Sequence, residues 1–205
     1  MPVTVDHSPL SAEELGLKTV GQVLAHLQRN KRLVVHVLID GLEPDLRRLG
    51  EVRQSPVVNH HVFIETADPL EMAMDVLQHV EAQIDEADRM KGDAAKLLQT
   101  NQNAGAMEKL AGCLTTWHHA QESLLKTARL MKIDLDRVIV AGEPLRETIA
   151  QFAEQLKQIR GALENRDFVT LSDVLIYETE GTGARWREAL ETLRRTIGNN
   201  AAAAV

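Results

Sequence analysis

Apolar positions along the chain follow two rhythms, and the change between them falls at Asp68-Pro69. Before that point the signals are short and mixed. Val3-Thr4-Val5 reads as a brief first strand. Thr19 is a good N-cap, and Val20, Val23, Leu24 and Leu27 then recur at the spacing of one helix face. Leu33 to Ile39 is short and β-branched, which predicts a buried strand, and Asp40-Gly41 closes it as a turn. After an irregular stretch containing Pro44 and Pro56, His61-Val62-Phe63-Ile64-Glu65 reads as a second strand. Residues 1–66 therefore predict a small α+β unit whose sheet is covered by one helix.

From Asp68 onward the apolar period is close to 3.6. Asp68 is a fitting N-cap, and proline is favoured at the first helical position. One helix carries Leu70, Met74, Leu77 and Ile84, with Met90, Leu97 and Leu98 in line if it runs past Gly92. After the polar break Thr100-Asn101-Gln102-Asn103, a second carries Met107, Leu110, Leu114, Trp117, Gln121, Leu124, Ala128 and Met131. A third is expected to start with Leu135, Val138 and Ile139, to be interrupted at Gly142-Glu143-Pro144, and to resume from Leu145 to Leu163. A fourth begins after the N-cap Asp167, with Phe168, Leu171, Leu175, Trp186, Leu190, Leu193 and Ile197 on one stripe. That stripe keeps its phase across Gly181-Thr182-Gly183, which favours one long helix, with a kink or a break at the glycines as the alternative. Residues 67–198 thus read as an antiparallel helical bundle, and 199–205 as a frayed tail.

Composition removes several classes of function. With 205 residues, 44% hydrophobic and 26% charged, the chain has enough material for one or two domains with real cores. No apolar run approaches the ~20 residues that span a bilayer, so membrane insertion is not expected. The first residues lack the basic-then-apolar layout of a signal peptide. The single cysteine, Cys113, permits no internal disulfide and fits a reducing compartment, so a cytoplasmic protein is expected. The net charge of −7 is uneven: residues 1–66 hold eight acidic and seven basic side chains, so nearly all of the excess lies beyond them. A phosphate-binding surface needs the opposite surplus, and nucleic acid is not an expected partner.

Little else reads as chemistry. His118, His119 and Glu122 lie within one turn of each other, but the spacing is not that of a di-iron bundle, where glutamate precedes histidine by three. No zinc motif and no cysteine pair occurs. His60-His61 sits at a strand entrance, where adjacent side chains diverge. Cys113 flanks an apolar stripe and lacks a paired base. Trp117 and Trp186 are in phase with their stripes and predict core packing. Phosphate-binding and nucleophile-elbow motifs are missing too. The expectation is therefore a protein without a catalytic, cofactor or metal site.

The most distinctive stretch is Asn165-Arg166-Asp167-Phe168-Val169, followed by Leu171-Ser172-Asp173-Val174-Leu175-Ile176-Tyr177-Glu178. It places apolar side chains on two sides of a helix: Val169, Ile176 and Tyr177 fall well off the Phe168 stripe. This makes Phe168, Val169, Asp173, Ile176, Tyr177 and Glu178 the candidate interface. The run resembles the signature Glu-Asn-x-Asp-(Tyr/Phe)-Val-x-(Leu/Ile)-x-Asp-x-Leu-x-Tyr-Glu of a poorly characterised bacterial family. Its members tend to be encoded among flagellar genes, and many carry a small β-grasp-like N-terminal unit. Thr19 to Leu24, Leu38 to Gly41 and Val62 to Thr66 resemble that unit. Two departures stand out: the first β-hairpin is hard to find before Thr19, and Gly181 and Gly183 interrupt a normally smooth helix.

The resemblance implies a flagellum-associated accessory protein and no activity. Together these readings predict a non-enzymatic protein-interaction module, a chaperone or adaptor for a flagellar or secretion component, with a protein partner or self-association. The alternative is a metal- or ligand-binding helical-bundle enzyme using His118, His119 and Glu122, with Cys113 nearby.

Overall fold

The structure, a computed structural model, describes residues 3–175 and 181–203, and only the backbone of Leu46 and Ser172. The chain forms an α+β fold in two compact units, Met1–Met72 and Ala73–Val205. The division falls within the first turn of a helix that starts at Pro69.

The first unit is a four-stranded mixed sheet covered by a helix. Strands β1 (Val3–Val5) and β2 (Ser8–Leu10) form a hairpin, α1 spans Val20–Arg29, and β3 (Leu33–Ile39) and β4 (Val62–Ala67) complete the sheet. The order is β2-β1-β4-β3, with β1 and β4 parallel at the centre and the other pairs antiparallel. This is the β-grasp-like arrangement expected. Val20, Val23 and Leu27 of α1 close over Val3, Val62 and Ile64. Thr19 caps α1 through a reciprocal pair: its hydroxyl accepts from the Gln22 amide, and the Gln22 side chain accepts from the Thr19 amide.

Two expectations for this unit need correction. The hairpin that the sequence conceals before Thr19 is present. Its turn residues Asp6 and His7 both have positive φ, 48° and 64°, as a two-residue type I′ turn demands. The usual glycine signal is absent, so the turn was not legible. The stretch between Pro44 and Pro56 is not wholly irregular either; it holds a 3-10 turn, Leu46–Arg48, and the short helix α2, Leu49–Gln54.

The second unit is built from α3 (Pro69–Gln99), α4 (Asn103–Leu130), α5 (Leu145–Glu164), α6 (Phe168–Asp173) and α7 (Thr182–Ala203). Asp68 caps α3 by accepting from the Leu70 and Glu71 amides at 2.8 and 3.0 Å. The helix runs on through Gly92, where nothing approaches. Antiparallel pairing of α3 with α4 brings Leu97 beside Gly105 and Met90 beside Gly112. Pairing with α7 is antiparallel too. Arg187 meets Asp85 and Asp88, and Arg194 meets Glu81 at 2.7 Å and the Leu77 carbonyl at 3.0 Å.

The third and fourth helices depart from expectation. No helix forms between Leu135 and Pro144. Strands β5 (Ile139–Val140) and β6 (Glu143–Pro144) make a small hairpin there, turned by Ala141 and Gly142 with φ of 51° and 87°. Its Ala141 amide donates to Glu188 of α7 at 3.2 Å. The favoured single final helix is instead two helices: Gly181 has φ of 75°, which no α-helix contains, and α7 starts just after it. The end of α7 reaches Ala203, so helical backbone continues beyond Asn199.

Candidate functional site

Helix α6 is positioned by its cap and by its buried face. The Asp167 carboxylate accepts from the Thr170 amide at 3.1 Å and from the Thr170 hydroxyl at 2.8 Å. These bonds hold its carboxyl below the usual carboxylate range. Leu171 of α6, with Val174 and Leu175 just past its end, is buried against Ala94 and Leu98 of α3, Ala106 and Leu110 of α4, and Ile159 and Ala162 of α5. Fully burying one such side chain is worth ~1.5–3 kcal/mol, enough to seat a helix of only six residues.

The opposite side faces outward. Val169 is 74% exposed, Asp173 is exposed, and Phe168 is half-buried at the edge of the core. Of the six candidate interface residues, these three lie among the described residues; Ile176, Tyr177 and Glu178 lie outside them. Val174, which the stripe did not include, is a core residue.

Of the residues of the alternative enzyme, His118, His119 and Glu122 are exposed neighbours on α4, and Cys113 lies apart from them in the core. Cys113 is buried, its thiol donating to the Ala87 carbonyl at 3.3 Å, while His118 and His119 are exposed further along α4. Burial pushes the Cys113 thiol up to about 11, the reverse of what a nucleophile needs. Glu122 pairs with Lys126 at 2.8 Å, and that bond holds its carboxyl below the usual range. Among the described residues no group of three or more His, Cys, Asp or Glu is placed to hold a metal ion. His60 and His61 serve the fold instead. The His60 ring and the His61 amide bind the Asp40 carboxylate at 2.7 and 2.8 Å, pinning the turn after β3.

Trp117 and Trp186 are both buried, as predicted. They meet Phe152 where α4, α5 and α7 come together, with ring centroids 4.3 to 5.8 Å apart. No described helix is long and apolar enough to cross a membrane.

Neither curated proteins nor solved structures yield a significant match to the chain. Residues 75–189 match a family described as a domain of unknown function, DUF8042. The matched segment runs from the first turns of α3 into α7, takes in the α6 region and leaves out the N-terminal sheet. It covers more than half of the chain, which therefore belongs to the DUF8042 family.

Proposed function

We propose that the protein is a non-enzymatic interaction module, a cytoplasmic chaperone or adaptor that engages a flagellar or secretion component through α6 and the residues that follow it. One observation carries this reading. A short helix, anchored by Leu171 and by Val174 and Leu175 just past its end, presents a largely exposed valine, Val169, and an exposed carboxylate, Asp173, on its outer side. Burying Val169 against a partner gains about 1.5 kcal/mol, and the carboxylate supplies a polar contact at the rim, where it adds specificity more than affinity. The same surface suits a second copy of the chain, so self-association is one form of this function.

Affinity capture from native lysate tests the proposal. Removing residues 165–198 would strip Leu171, Trp186 and Leu190 from the core, so the comparison uses the exposed pair Val169→Asp and Asp173→Ala in the full chain. Enrichment of a flagellar or secretion protein, or of a second copy of the chain, that the double variant loses while keeping its helical content supports the reading. Equal recovery by both proteins, or recovery of neither kind of partner, contradicts it.

A further inference from the structure

The N-terminal unit carries a groove of its own. It has a volume of about 690 Å³ and lies between the loop after β2 and the segment around Pro56, within the size range of ligand-binding clefts, roughly 300–1,000 Å³. Val3 and Ala12, both buried, contribute to its floor, and Leu10, Leu17 and Val57 to its walls. Val58, 79% exposed, stands at its border. The charged lining residues are Glu13 and Glu14, adjacent and both exposed, and one base, Lys18. The apolar lining takes an apolar segment, and the adjacent glutamates favour a cationic side chain beside it.

The edge of the sheet decides how such an occupant binds. Strand β2 is the outer strand beside the groove, and its central residue is Pro9. Proline lacks the amide hydrogen that a further strand would need, so a peptide cannot dock by extending the sheet along β2. Recognition has to come from side chains entering the groove.

We infer that this groove is a docking site for a short peptide segment of a partner protein, apolar where it enters the groove and carrying a lysine or arginine next to that apolar part. The site is separate from the α6 surface and stands or falls independently of it.

The test is an amide-resolved NMR titration of the full chain with two blocked pentapeptides, Lys-Leu-Val-Leu-Lys and Glu-Leu-Val-Leu-Glu. The basic peptide should give saturable shifts at Ala12, Leu17, Val57 and Val58, and the acidic peptide should bind about tenfold more weakly or not at all. Glu13→Lys with Glu14→Lys, both at exposed positions that leave the core intact, should reverse that preference. Absence of saturable shifts from the basic peptide, equal binding of the two peptides, shifts confined to other amides, or a preference unchanged in the double variant would each overturn the inference.

Discussion

Asp6 shows how much one carboxylate does in the N-terminal unit. It accepts from the Thr66 amide at 2.7 Å, the Thr66 hydroxyl at 2.5 Å and Arg32 at 3.3 Å, tying the β1–β2 turn to the end of β4. The two Thr66 bonds, with Arg32 adding less, hold its carboxyl below its ordinary value of 3.8. A depressed folded value means stability that is fully present above 3.8 and lost as pH falls through the lowered value. Asp6→Asn should therefore be less stable than the parent at pH 7, and the gap should narrow below about pH 4; denaturant unfolding at both pH values reads it. Cys113 gives a second expected result at this scale. With its thiol raised to about 11 and buried, it should resist alkylation by iodoacetamide at pH 8 in the native protein and react once urea unfolds it; fast native labelling would contradict its placement. Caps such as Thr19 and Asp68 were legible because their side chains name their role. The left-handed residue that closes each helix was not. Lys31, Asn101, Lys132 and Arg166 all take positive φ where glycine is the usual signal. In each case the next amide reaches back over the turn, as Arg32 does to the Leu27 carbonyl at 3.0 Å.

Helices α3 and α4 explain why the stripes were only partly right at the scale of elements. The buried positions of α4 run Ala106, Leu110, Cys113, Trp117, Ala120, Leu124 and Thr127 in alternating steps of four and three, with Ala128 buried beside the last. The buried side of α3 steps in the same way from Ala73 through Leu77, Val80 and Ile84 to Ala87, with Ala94 and Leu98 in the next heptad. That is a 3.5-residue seam in which alanines let two helices approach. A reading keyed to large apolar side chains found Leu110, Trp117 and Leu124 but also included Met107, Leu114 and Gln121, which are only half-buried. Small residues carried the missing half of the pattern. Two glycines in helices should behave oppositely for the same geometric reason. Gly92 has open space where a Cβ would stand, so Gly92→Ala should stabilise by ~1 kcal/mol through helix propensity alone. At Gly21 a Cβ would lie 2.8 Å from the Arg53 carbonyl oxygen and 3.1 Å from its Cβ. Gly21→Ala should therefore destabilise by ~1–3 kcal/mol, the cost of forcing α1 and α2 apart. Thermal unfolding of the two variants separates them, and a shift of the same sign in both would contradict the packing described for α1 and α2.

Across the whole molecule, the α+β layout and the switch near residue 68 were plain in the sequence, because a β-branched run and a sustained helical period are strong signals. The final segment was harder. Phase continuity across Gly181 suggested one helix, but phase says nothing about φ, and the left-handed glycine separates α6 from α7. The N-terminal groove left no sequence trace because its walls come from segments about forty residues apart. Of the candidate interface residues, Val169 and Asp173 are exposed, while Ile176, Tyr177 and Glu178 lie outside the described residues. The central claim, that the α6 surface meets a protein partner, is tested most directly by photo-crosslinking in intact cells with a photoreactive residue in place of Val169. The control carries the same residue at Glu108, which is exposed on α4. The account predicts a discrete crosslinked product from position 169, with a partner protein or a second copy of the chain, that the control lacks. No product from position 169, or the same products from both positions, would contradict it.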